Sequence, residues 1–297
     1  MAGVVWVDGR LRPADEPQIT VFDRGFQLGD GIFETLRARA GHITELGEHL
    51  ARLHRSADGL GIPLGVDADD RIGEGIGELL RAAGLDGPEG DASIRITVTR
   101  GPVHGRGLLP SDEDVVPTIA IQAWPVVAPP PGHLERGIAL VSSSVRRDPS
   151  NPLAALKTTS RADYVYARLE ARRSGADDAL FLTVDGQLSE ATSSNVFLVR
   201  RAPDGAAELA TPSLACAILP GTTRSWLLRW AETVGLRPVE ATLIPDDLLA
   251  ADEAFVCASV MGVIAVTSFD RSPIGDGRPG PWTLRAREDR ERFIRGD

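Results

Sequence analysis

The chain has 297 residues, 42% hydrophobic and 25% charged, which is the balance of a folded globular protein with room for one large domain or two ordinary ones. Its net charge of −10 argues against a broad nucleic-acid or acidic-membrane surface and leaves room only for a local cationic pocket. The opening "MAGVVWVDGR" has no basic start, no apolar run reaches spanning length, and Cys216 and Cys257 lack metal-ligand spacing, so a cytoplasmic protein with buried thiols and no metal is expected.

In chain order, "VVWVDGRLRP" reads as a hairpin around an Asp-Gly turn, and "GIFETLRARAGHI" as a second hairpin around Ala40-Gly41. "ELGEHLARLHRSADGLG" places Leu46, Leu50, Leu53, Ala57 and Leu60 on one face of an amphipathic helix. A further helix is expected near 69–84, and "ASIRITVTRG" and "VVPTIAIQAW" read as strands. The stretch "PVVAPPPGH" has four prolines in nine residues and can continue neither a helix nor a central strand. It divides an N-terminal α/β lobe, 1–124, from a C-terminal α/β lobe, 134–297, with a linker at 125–133. The second lobe starts with the strand "GIALVSSSV" and has a helix over roughly 160–174. The strands "ALFLTV" and "NVFLV" follow, then a helix in "LPGTTRSWLLRWAETVG" and the strands "EAFVCASV" and "GVIAVTSF".

Walker-type phosphate loops, HExxH, CxxC and GxSxG are all missing from the sequence. Three stretches of the second lobe carry chemistry. Lys157 is the one lysine among 32 Lys and Arg residues; an amine of this kind, made neutral by burial, condenses with an aldehyde to a Schiff base. Glu190, between two strands, offers a carboxylate that could keep a pyridine nitrogen protonated. "PGTTR", Pro220–Arg224, opens a helix whose amides and threonine hydroxyls suit a phosphate dianion. Singly, each has a plainer explanation: a surface lysine, a solvated glutamate, an N-cap. Together and in this order they describe a pyridoxal phosphate site.

"LKTTSRADYVYAR", "DDALFLTVDGQLSEATSSNVFLV" and "ILPGTTRSWLL" resemble the class IV aminotransferase family, the fold-type IV pyridoxal phosphate enzymes. "FDRGFQLGDGIFET" and "EHLARL" are similar to two N-terminal motifs of that family. The resemblance implies a two-lobed α+β or α/β fold with pyridoxal 5′-phosphate in the cleft and a homodimer whose pockets are completed by a neighbouring subunit's N-terminal loop. Loop 101–114 is a candidate lid or partner contribution. The resemblance makes Lys157 the Schiff-base lysine, Glu190 the ring-nitrogen partner, and Arg52, Thr222, Thr223 and Ser259 the phosphate ligands. Ser194 and Asn195 would flank the ring, and Arg161 stands where many members carry a tyrosine near the phenolic oxygen.

The family divides into D-amino acid, (R)-amine and branched-chain transaminases and aminodeoxychorismate lyase. "DRGFQLGDGIFETLRARAG" and "IGDGRPGPWTLRARE" are similar to D-amino acid transaminases, whereas "VTRGPVHGRGLLP" and "CASVMGVIAV" resemble the lyase. The Arg-x-His carboxylate clamp of well-known D-amino acid transaminases is replaced by Gly105-Arg106-Gly107. The substrate carboxylate would then fall to Arg37, Arg95, Arg106 or Arg146, and Phe33 is a further candidate for substrate binding. A D-amino acid (or (R)-amine) and 2-oxo acid transaminase is expected, with the lyase and a branched-chain transaminase as alternatives.

Overall fold

The computed structural model describes residues 3–16, 18–105, 107–111 and 115–297. The chain divides into two compact units: Met1–Val127 with Leu156–Arg161, and Ala128–Ala155 with Ala162–Asp297. The break at Val127/Ala128 lies inside the Pro-rich segment.

The first unit contains β1 (Val4–Val7), β2 (Arg10–Pro13), α1 (Arg24–Leu28), β3 (Gly31–Arg39), β4 (His42–Ile43), α2 (Leu46–Leu60), α3 (Ala68–Ala82), β5 (Asp91–Thr99) and β6 (Thr118–Pro125). Its sheet runs β2-β1-β6-β5-β3-β4, with every pairing antiparallel. Side chains alternate between the two faces of a strand. Ile32, Leu36, Ile94, Ile96, Val98, Ile119 and Ile121 therefore share a core with Leu50, Leu53 and Ala57 of α2 and Ile72, Ile76 and Leu79 of α3. Phe33, Thr35, Arg37, Ser93, Arg95 and Thr97 occupy the opposite face, where Phe33 is opposite Thr97 and Thr35 opposite Arg95.

The expected assignment of Lys157 to the C-terminal lobe is corrected here. The stretch Leu156–Arg161 belongs to the first unit because its backbone pairs along the starting edge of β3. Phe33 N–H donates to Lys157 C=O at 2.9 Å, Thr159 N–H to Gly31 C=O at 2.8 Å, and Thr158 bridges Ile32. Lys157 N–H also donates to the buried Ser56 hydroxyl of α2 at 3.1 Å. A Cβ on Gly59 would come within 2.6 Å of the Leu156 side chain, so a glycine lets α2 and this stretch approach.

The second unit contains α4 (His133–Arg136), β7 (Ile138–Arg147), α5 (Ala162–Ser174), β8 (Asp178–Thr183), β9 (Leu188–Ala191), β10 (Asn195–Arg201), β11 (Ala207–Pro212), α6 (Thr222–Thr233), β12 (Arg237–Ala241), α7 (Pro245–Leu249), β13 (Glu253–Ala258), β14 (Gly262–Phe269), β15 (Ser272–Pro273) and α8 (Pro281–Arg295). The sheet runs β12-β11-β10-β13-β14-β7-β8-β9, with β15 on β14. It is covered on both faces, which is why its strands read as continuous apolar runs. Val196, Leu198, Val256, Ile264 and Val266 form one core; Phe197, Phe255 and Val263 pack against Trp226, Leu227 and Trp230 of α6 and Ala286 of α8 in another. Helix α8 and strands β11 and β12 are additions to the elements expected from sequence. Cys216 and Cys257 are buried free thiols. Among the described residues, no helix is long and apolar enough to cross a membrane, and no group of three or more His, Cys, Asp or Glu could hold a metal ion.

Candidate active site

Each unit gathers part of the expected residues. In the first, three of them meet at the aromatic ring of a fourth, Phe33. The Arg95 guanidinium lies 3.9 Å from the Phe33 ring centroid, Lys157 Nζ 4.6 Å and the Arg161 guanidinium 5.8 Å. The ring's negative face partly offsets the crowding of three cations. Burial, and then the nearby Arg161 charge, lowers the pKa of Arg95. Its Nε donates to Thr97 Oγ1 at 3.3 Å, and among the described residues no carboxylate pairs with it. A half-buried guanidinium with no carboxylate beside it suits an incoming anion.

Arg37 and Arg52 are engaged differently. Arg37 grips Asp91 through two hydrogen bonds of 2.8 Å, so Asp91 already occupies the fork proposed for a substrate carboxylate. Arg52, on the buried side of α2, donates to both Glu34 oxygens at 2.7 and 2.6 Å, and His49 Nδ1 donates to Glu34 at 2.7 Å. Glu34 is fully buried; burial pushes its pKa up, but hydrogen bonds and charge from Arg52 and His49 outweigh this and hold it at about 2. A solvated helix residue in this position would need no such partner. Sequence reading missed Glu34 and His49, although His49 and Arg52 sit three residues apart, the spacing of one helix face. Arg146 belongs to the second unit, is exposed, and donates to Ser143 C=O at 2.6 Å. Arg106 lies outside the described residues.

In the second unit, Glu190 on β9 is 6% exposed and accepts Leu219 N–H at 2.9 Å. The Tyr164 hydroxyl stands 3.4 Å from it and Arg147 3.7 Å. Arg147 and Tyr164 are further residues that sequence reading missed. Asn195 starts β10 and donates from Nδ2 to Leu219 C=O at 3.1 Å, tying the same turn from its other side. Gly221 then caps α6 in an extended conformation; a Cβ there would fall 2.1 Å from Asn195 Oδ1, so this turn requires glycine. Thr222 and Thr223 open α6, Thr222 Oγ1 lies 3.2 Å from Ser259 Oγ, and Thr223 Oγ1 accepts from Arg290 at 3.2 Å. Ser194 Oγ is buried with no hydrogen-bond partner among the described residues.

This donor set of the second unit fits the phosphate and ring of pyridoxal 5′-phosphate: hydroxyls gathered at a helix N-terminus for a dianion, a buried carboxylate for a pyridine nitrogen and an orphaned hydroxyl. Loop 101–114 is described except at 106 and 112–114; Arg24 donates to Gly107 C=O at 3.0 Å and to Leu108 C=O, anchoring it within the first unit.

The mixed α/β fold is shared with solved transaminases. A T.th. branched-chain amino acid aminotransferase with pyridoxamine 5′-phosphate matches 100% of this chain and 95% of its own with a TM-score of 0.88 and 28% identity. A Legionella pneumophila protein assigned by name as a 4-amino-4-deoxychorismate lyase matches 92% and 94% with a TM-score of 0.80 and 28% identity. In sequence, the D-alanine aminotransferase of Bacillus licheniformis is 30% identical over 94% of this chain and 93% of its own length. The branched-chain-amino-acid aminotransferase of Escherichia coli K12 is 30% identical over 97% and 91%. The family model for class IV amino-transferases matches residues 31–269, and the chain belongs to that family, with the fold-type IV architecture expected from its motifs.

Proposed function

We propose that this enzyme is a pyridoxal phosphate-dependent transaminase that moves an amino group between a D-amino acid and a 2-oxo acid. The observation that carries an α-amino acid substrate is the Phe33 cluster, in which the Lys157 amine and the Arg95 guanidinium approach one ring. An amino acid presents an amino group and a carboxylate a few ångströms apart, and the cluster offers a base for one and a cation for the other. Similarity to a D-alanine aminotransferase supports the D-configured donor.

Pyridoxal 5′-phosphate supplies an aldehyde for covalent attachment and an electron sink that acidifies the substrate Cα–H. Lys157 would hold it covalently and then carry the proton from Cα as general base. Glu190 would keep a proton on the ring nitrogen. Thr222, Thr223 and Ser259 would donate to the phosphate oxygens, and Ser194 and Asn195 would flank the ring. Arg161 would contact the cofactor or the substrate carboxylate bound by Arg95.

A branched-chain transaminase is the second reading, favoured by the Escherichia coli and T.th. relatives; a lyase acting on aminodeoxychorismate is the third, favoured by the Legionella structure. One experiment separates them: purified enzyme is given 2-oxoglutarate with D-alanine or with L-leucine, and aminodeoxychorismate alone. D-Glutamate from the first mixture supports the first reading. L-Glutamate from the second, or 4-aminobenzoate from the third, overturns it.

The reading includes a cytoplasmic homodimer. Val21, Phe26, Leu108 and Leu109 of the first unit each expose between 63% and 84% of their surface, apolar side chains of the kind that assembly covers. Sedimentation as an active monomer would refute the dimer.

A further inference from the structure

Helix α8 carries an arginine with no solvent exposure, Arg290. Burying a guanidinium is costly unless its surroundings answer the charge. The faces of Trp226 and Phe293 do so in part, with centroids 5.1 and 5.2 Å away. Its Nη2 donates to Thr223 Oγ1 at 3.2 Å. The register that brings this about is held next door, where Asp289 accepts the Trp230 indole N–H of α6 at 2.8 Å.

The direction of the Arg290 bond has a consequence. A guanidinium has donors and no acceptor, so Thr223 Oγ1 can only accept from it. The hydrogen of the Thr223 hydroxyl is thereby left to donate elsewhere. Among the described residues no acceptor takes it, and Thr223 is 2% exposed, so water is largely excluded as well. Thr223 is the second residue of α6, where amide donors and the helix dipole favour an anion. Accepting from a cation also polarises the hydroxyl and makes it a stronger donor.

We propose that Arg290 is a positioning residue for the cofactor phosphate: it fixes the Thr223 hydroxyl as a donor toward the anion and places a buried positive charge behind it. This rests on the reading of the α6 N-terminus as the phosphate site. Arg290 acts there through the threonine that would touch the phosphate.

The test compares two ligands on the full chain stripped of cofactor. Dissociation constants for pyridoxal 5′-phosphate and for pyridoxal, which lacks the phosphate, are measured by quenching of tryptophan fluorescence. Arg290→Met is expected to weaken the phosphorylated ligand about tenfold, the effect of about 1.4 kcal/mol, and to leave pyridoxal unchanged. Thr223→Val is expected to do the same, and the double variant to bind no more weakly than the worse single one, because both remove one relay. Equal loss for both ligands, or additive losses in the double variant, would show a merely structural arginine and overturn the inference. An effect of Thr223→Val with none from Arg290→Met would overturn it while leaving the phosphate site standing; no effect from Thr223→Val sinks both. Should Arg290→Met fail to fold, Arg290→Lys retains the charge with a single-point donor and is expected to show a smaller loss with the same phosphate-only pattern; a loss shared by pyridoxal again overturns the inference.

Discussion

Arg37 and Arg95 project from the same face of one sheet, two strands that are hydrogen-bonded neighbours, yet their surroundings differ. At one end Asp91 holds Arg37 with two bonds of 2.8 Å. At the other, Arg95 stacks on Phe33 among Lys157 and Arg161, and among the described residues no carboxylate answers it. The same residue type is structural where the protein supplies the acid and available for a ligand where it does not. A closed pair has little to gain from a substrate anion, while a half-buried guanidinium with no acid of its own gains from the carboxylate that reaches it.

The Phe33 end can be broken most severely at Lys157. Lys157→Ala should lower the rate of amino-group transfer by about 10⁴-fold, the upper range for losing a general base, read as single-turnover product formation with D-alanine. A variant within tenfold of the parent would remove the lysine from the chemistry. Beneath the same strand, the Glu34 carboxylate offers the next largest effect. Its pKa falls from 4.5 unfolded to about 2 folded, about 1.4 kcal/mol per pH unit, or about 3 kcal/mol. A depressed carboxylate stabilises the fold above pH 4.5 and loses that contribution as pH falls from 4.5 toward 2. Chemical denaturation of the parent should show this acid loss, and Glu34→Gln should flatten it; parallel pH curves would refute the closed Glu34–Arg52–His49 group.

Arg95→Leu should raise KM for the amino donor about 10-fold to 100-fold, the worth of about 1.5 to 3 kcal/mol in a charge-assisted pair, with melting temperature little changed. Arg37→Leu should invert the pattern: KM within twofold, and stability lower by about 1 to 3 kcal/mol because Asp91 loses its partner. If both variants altered KM alike, the contrast between the two ends of the sheet would be wrong.

Legibility followed the range of the interactions. The α2 face of Leu50, Leu53 and Ala57 could be read because a helical repeat is local. Lys157, Glu190 and Thr222-Thr223 stood out by residue type beside short motifs, and the family itself followed from several such motifs in order. Helix α8 was missed because its exposed turns are crowded with charge, so periodicity is masked. Its start is set from a distance, by Glu253 accepting Trp282 N–H at 3.0 Å and Thr283 N–H at 2.8 Å. Arg290 was hidden with it.

By itself the sequence determined the chemistry available: one lysine amine, a glutamate between strands and a Gly-Thr-Thr helix start, together with the periodicities that make strands and helices. Tertiary structure alone decided which arginine meets which acid, that the Lys157 stretch joins the first unit along β3, and that a buried arginine stands behind Thr223. The physical reason is that residue type and local repeat are properties of neighbours in the chain, whereas charge pairing depends on groups brought within about 3 Å from 15 to more than 60 residues away.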